Sequence, residues 1–207
     1  MPDTNTVPGF VPSVHGLHFA NRWPPGPTLR FGVLDPRLVG IGDASAGLCG
    51  GMAWFVRERF QAGVPVPPDT APPVYGTPLF KAIVRRQVQS LDWFRGPLRF
   101  WWMGGRGAAA ARQRTLEHEW PRIRATIDSG QLALVGLVRH SGWNPWHLTQ
   151  SHQVIAHAYS VDPGSGKITL RLYDPNWPDR DDVTLTLSPD GFSQSTGEPL
   201  HGVLNLQ

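Results

Sequence analysis

Gly47-Leu48-Cys49-Gly50-Gly51-Met52-Ala53-Trp54-Phe55-Val56-Arg57-Glu58-Arg59-Phe60-Gln61 is the stretch around which the rest of the chain organises. Met52, Phe55, Val56 and Phe60 recur at helical spacing, with Arg57, Glu58 and Arg59 left for the wet side, so a helix is predicted from Leu48 to Gln61. Gly63 is placed to stop it. Cys49, the only cysteine in 207 residues, stands at its start. Unpaired N–H groups and a partial positive charge at a helix N-terminus favour the thiolate and make such a sulfur nucleophilic near neutrality. Gly47 before it, and Gly50 and Gly51 after it, remove side-chain bulk and let a substrate backbone approach the sulfur. The backbone N–H of Cys49 points where a carbonyl oxygen would become an oxyanion. The competing reading of Cys49 is a small buried hydrophobe.

Upstream, Gly40 to Gly47 is a small-residue approach, and residues 1–30 read as irregular, with proline clusters around Gly16-Leu17-His18-Phe19-Ala20. Downstream, the six prolines from Val64 to Pro78 inclusive predict a long surface loop. Pro78 can open a second helix with Leu79, Phe80, Ile83, Val84, Val88 and Leu91 as its apolar stripe. The cluster Trp93, Phe94, Phe100, Trp101 and Trp102 reads as a packing layer, and Gly104 to Arg112 as a flexible loop. A third helix is predicted from near Glu119, with Pro121 in its first turn and Gly130 at its end.

Beyond Gly130 the pattern changes to short apolar runs: Leu132–Val138, Val154–Val161, Ile168–Tyr173, Val183–Leu187 and Val203–Leu206. Pro163-Gly164-Ser165-Gly166 marks a hairpin between two of them. Helices first and an antiparallel sheet second define an α+β layout. A single domain over 1–207 is expected, with a helical lobe over about 1–130 and a β lobe over 131–207.

If the two strands around that turn pair as a hairpin, the end of the second lies beside the start of the first. His152, in Ser151-His152-Gln153-Val154, then meets Asp174, in Tyr173-Asp174-Pro175-Asn176. From there a carboxylate can hold an imidazole in one tautomer. Asn176 is the alternative third member, and Asp-Pro-Asn is also an ordinary turn. On period-two alternation His152 shares a face with Val154 and Ala156, and His157 lies on the other; His157 and His147 are the reserve bases.

Forty per cent hydrophobic residues with nine Trp and nine Phe supply a core. Seventeen of the nineteen basic residues are scattered arginines and the net charge is only +3, which argues against nucleic acid. A lone cysteine fits a reducing compartment, and neither a signal peptide nor a membrane-spanning run is visible, so the expected location is cytoplasmic, leaderless export aside. Asp179, Asp181 and Asp182 lack calcium-loop spacing, no zinc pattern exists, and Gly104-Gly105-Arg106-Gly107 is not a phosphate loop. No metal or other cofactor is expected.

Gly47-Leu48-Cys49-Gly50-Gly51-Met52, Ser151-His152-Gln153-Val154 running on to Ala158-Tyr159, and Tyr173-Asp174-Pro175-Asn176 together resemble the papain-like cysteine peptidase superfamily. The likeness is to its bacterial Cys-His-Asp branches, such as the C39-type peptidases. It implies a helical lobe packed on a twisted antiparallel sheet, with Cys49, His152 and Asp174 in the cleft between them. It also implies an amide hydrolase acting on a peptide or protein substrate through an acyl-thioester. Transglutaminase-like acyl transfer or deamidation is the enzyme alternative, and a weakly catalytic binding scaffold the alternative of another class. The family's oxyanion glutamine, six residues before the cysteine, is here Asp43, which accepts rather than donates when ionised. Gly50 at the helix start, Ser45 or Asn21 could supply the missing donor, or Asp43 is protonated.

Overall fold

The computed structural model describes residues 3–23, 47–90, 96–144 and 151–207. β-Branched and aliphatic residues concentrate after Gly130, and that half forms β2 (Ala133–Val138), β3 (His152–Val161), β4 (Ile168–Tyr173), β5 (Thr184–Leu187), β6 (Phe192–Gln194) and β7 (Gly202–Asn205). The strands run β6-β5-β4-β3-β2-β7 across one sheet, and β1 (Asp3–Thr6) is added against β3. All pairings are antiparallel. β3 is the axis: β2 covers its first half, from Leu137 opposite His152 to Ala133 opposite Ala156, and β1 covers its second, from Thr6 opposite Ala158 to Asp3 opposite Val161.

The turn joining β3 to β4 is built by Asp162, whose carboxylate accepts the N–H groups of Gly164 and Ser165 at 2.8 Å. Gly166 follows at φ +66°, a conformation that favours glycine. Between Ala156 and Ala158 the register with β4 slips, leaving His157 as the extra residue of a bulge. The expected hairpin therefore forms, with a kink at its centre.

The helices are α1 (Pro12–His15), α2 (Cys49–Gln61), α3 (Pro78–Ser90), α4 (Gly96–Gly104), α5 (Ala108–Arg114) and α6 (Trp120–Asp128). α2 packs on β3 and on α3 through its buried Gly50, Gly51, Met52, Ala53 and Val56. Gly51 sets the α2–α3 distance: a Cβ there would run into the main-chain carbonyl oxygen of Ile83. Arg86 on α3 also donates to the Glu58 carboxylate on α2 at 2.6 Å.

Three expectations are corrected. The N-terminal region is not irregular throughout, since Asp3–Thr6 joins the sheet and Pro12–His15 is helical. The segment Gly104 to Arg112 is not a loop: α4 ends at Gly104, only 105–107 intervene, and α5 begins at Ala108. Four consecutive alanines, Ala108–Ala111, are the strongest helix formers available, so small residues here mean helix rather than flexibility. The third helix also starts before Glu119. Thr115–Glu119 is a π-helical turn that joins α5 to α6, with the Trp120 N–H bonded to the Thr115 carbonyl. Pro121, which has no N–H to give, follows directly, and the wider turn absorbs the gap in the ladder.

Of the aromatic cluster, Phe100 is core, packed with Met103, Ala111, Val138 and Leu204. Trp102 is not: it is exposed, with the Arg106 guanidinium 3.5 Å from its ring centre. Trp93 and Phe94, like Leu91 of the α3 stripe, lie outside the described residues. Among the described residues no helix is long and apolar enough to cross a membrane.

Candidate active site

Cys49 is the first residue of α2, and Leu48 before it offers no side-chain cap. The free amides of the first turn are used instead around the site. Gly51 N–H donates to Gln87 Oε1 at 2.7 Å, while the N–H groups of Gly50 and Gln153 donate to the Cys49 sulfur. Gly50 is tightly enclosed, since a Cβ there would lie 2.7 Å from Gln153 Oε1.

His152 opens β3 and Asp174 immediately follows β4, so the hairpin sets them side by side. His152 Nε2 lies 2.6 Å from Asp174 Oδ1, and both residues are buried. The other carboxylate oxygen, Oδ2, accepts from Gln194 Nε2 at 2.7 Å. Asn176 N–H donates to Oδ1 at 2.9 Å. The acid is thus held by three donors and has little freedom to rotate. On its other side, the His152 ring is hydrogen-bonded to the Cys49 thiol. With Nε2 committed to the carboxylate, Nδ1 is the nitrogen left for sulfur.

Charge in this cluster is governed by competition between burial and pairing. Burial alone would push the Cys49 thiol up, but the neighbouring His152 charge and hydrogen bonds from His152, Gln153 and Gly50 bring it below its ordinary value. For His152, burial pulls downward and is outweighed by Asp174 and Cys49, so the imidazole is raised to about 10. Burial would likewise raise Asp174, yet its carboxyl is lowered, because His152 and the N–H donors favour the ionised form. All three shifts favour one state: thiolate, imidazolium and carboxylate in a row.

The other candidates fall elsewhere. The Asn176 side chain turns to Asn21, whose Nδ2 donates to its Oδ1 at 3.2 Å, and it is Asp174 that contacts the histidine. His157 sits in the bulge against the Phe10 ring, 5.3 Å between centroids, with both ring nitrogens buried and unpartnered. Burial and the Arg171 charge, only partly offset by Asp181, lower it to about 4, so it is neutral at ordinary pH. Asp43, Ser45 and His147 lie outside the described residues.

The acidic loop is not a set of free carboxylates. Asp179 is 2.6 Å from His18 Nδ1, Asp181 accepts from Ser13, and Asp182 accepts from Arg180. Among the described residues no group of three or more His, Cys, Asp or Glu side chains gathers as a metal would require.

Sequence reading missed Gln194. Its Oε1 accepts from Arg139 at 3.3 Å, which orients the amide so that Nε2 faces Asp174. A glutamine ending a short strand carries no pattern that points to an acid twenty residues earlier. Comparison with known proteins adds nothing to this geometry, because no family model, no curated protein and no solved structure matches the chain.

Proposed function

We propose that the chain is a cysteine-dependent hydrolase that cleaves an amide bond, of a peptide or isopeptide, through an acyl-thioester on Cys49, on a papain-like arrangement of helices and sheet. The observation that carries this reading is the continuous line from the Cys49 thiol to His152 and from His152 Nε2 to Asp174 Oδ1 at 2.6 Å.

In the resting ion pair the sulfur is already ionised and its proton resides on His152 Nδ1. The thiolate attacks the carbonyl carbon, and the electron pair of the C=O bond moves to oxygen. The Cys49 N–H, at the start of α2, is the donor assigned to that oxyanion. As the tetrahedral species collapses, Nδ1–H passes its proton to the leaving nitrogen and the amine departs. A water then gives its proton to Nδ1 and attacks the thioester, releasing the acid and restoring the thiolate–imidazolium pair. Asp174 accepts the Nε2–H bond throughout, keeping the ring oriented and its positive form stabilised.

The direct test is alkylation of Cys49 by iodoacetamide across pH. An activated thiol reacts at a plateau rate well below the ordinary cysteine pKa of about 8.5. A profile that rises only around that value refutes the reading and favours a binding scaffold. Incubating the enzyme with a peptide library and an added primary amine then separates the chemistries: free acid reports hydrolysis, and an amide adduct reports transfer.

A further inference from the structure

We infer that Asn21 is a positioning residue that ties the start of the Cys49 helix to the loop carrying Asp174, closing a ring of hydrogen bonds through the nucleophile. The inference rests on the reading of Cys49, His152 and Asp174 as the reacting set.

Asn21 belongs to neither segment. Its Oδ1 accepts from the Leu48 N–H at 2.7 Å and from the Trp23 indole N–H at 3.0 Å. Two donors on one oxygen fix which end of the amide is which. Nδ2 therefore faces the other way and donates to Asn176 Oδ1 at 3.2 Å. The backbone joins in, with the Asn21 N–H donating to the Pro175 carbonyl at 2.8 Å. Asn176 N–H in turn holds Asp174 Oδ1 at 2.9 Å, Asp174 holds His152, and His152 meets Cys49. From Leu48 through Asn21, Asn176, Asp174 and His152, the circuit returns to the residue next to Leu48.

Gly47 shows how close this tie is. It adopts φ +93°, and a Cβ on it would lie 2.8 Å from Asn21 Nδ2. Gly47, two residues before the nucleophile, thus makes room for the amide of Asn21. A primary amide suits the place because it offers an acceptor to Leu48 and a donor to Asn176 at once. Aspartate would keep the first bond, lose the second, and set a carboxylate against the Asn176 oxygen.

The consequence is positional. Cys49 rides on a helix and Asp174 on a hairpin, and misplacement of reacting groups by about 1 Å can cost on the order of 100-fold in rate. Pinning both sides to one side chain fixes their separation.

The test uses the full chain and the pH profile of iodoacetamide alkylation, with thermal unfolding alongside. Asn21→Ala, Asn21→Asp and Asn176→Ala are each expected to raise the midpoint of the profile by about one unit, so that on its rising limb, below both midpoints, alkylation slows roughly tenfold. The double variant Asn21→Ala/Asn176→Ala should be no slower than either single, because the two residues form one link. Trp23→Phe, which removes a donor to the same oxygen but leaves the bridge, should keep the wild-type profile. Folded Asn21 and Asn176 variants with unchanged midpoints, or multiplying effects in the double variant, overturn the inference. If Asn21→Ala does not fold, Asn176→Ala reads the same link from the other end. A wild-type profile like that of free cysteine instead removes the reading on which the inference rests, and the two failures are distinct.

Discussion

Replacing His157 with Phe should make the protein more resistant to acid, by an amount the structure specifies. The folded imidazole is held near 4, against an ordinary 6.5, because it is buried in the β3 bulge and lies near Arg171, with Asp181 offsetting only part of this. A folded-state value below the unfolded one means that the unfolded chain binds the proton more readily. Stability is then intact above about pH 6.5 and declines as pH falls toward 4. A gap of about 2.5 units corresponds to about 3 kcal/mol once both states are titrated, of which about 2 kcal/mol is already lost at about pH 5. Phe fits the aromatic contact with Phe10 and has nothing to protonate. Urea unfolding of both proteins at about pH 7.5 and pH 5 isolates the contribution, since carboxylates elsewhere titrate alike in each. The difference in unfolding free energy between wild type and variant should move by about 2 kcal/mol in favour of the variant on acidification. Parallel stability curves would refute the assignment of a neutral, buried His157. Alkylation of Cys49 should be unchanged in this variant, because His157 is outside the thiol's hydrogen bonds.

His152→Ala should abolish reactivity of Cys49 toward iodoacetamide at pH 6 to 7, whereas His157→Ala should not; the opposite pattern in the same assay would mean that the wrong base has been assigned. Gln194→Met removes the donor to Asp174 Oδ2 and leaves a buried carboxylate oxygen unpaired, so denaturant unfolding should show a loss of about 1–3 kcal/mol together with a rightward shift of the alkylation profile. Gly51→Ala drives a methyl into the Ile83 carbonyl oxygen at the α2–α3 contact, and urea titration should find about 1–3 kcal/mol of destabilisation; an unchanged midpoint would show that the helices separate freely.

What the sequence made legible was local or followed from a turn. The α2 stripe, the proline that opens α3 and the strand runs after Gly130 all lie where periodicity put them, within a residue or two. The pairing of His152 with Asp174 was also readable, because a hairpin converts sequence distance into spatial neighbourhood by a fixed rule. Helix α5 was missed for a different reason. Gly104, Gly105 and Gly107 read as a loop, but the four alanines that follow are the best helix formers and hold the segment helical. The bulge at His157 was invisible too, because alternation assumes a strand that keeps its period.

The supporting roles that could not be read, that of Gln194 and the bridging one of Asn21 (read from the sequence only as an oxyanion donor), share one property: each belongs to a side-chain amide whose partners are set by tertiary packing. Asn21 and Gln194 bear on different oxygens of Asp174, Oδ1 through the backbone N–H of Asn176 and Oδ2 directly. Neither carries charge, and neither sits in a repeating pattern. Their effect is nevertheless electrostatic, since each donor aimed at the carboxylate, or at the residue that holds it, favours the ionised acid, and the ionised acid favours the imidazolium. That imidazolium keeps the Cys49 proton away from sulfur. The state of a thiol at one end of the line is therefore governed partly by amides at the other, which motif reading, confined to the residues that react, has no means to include.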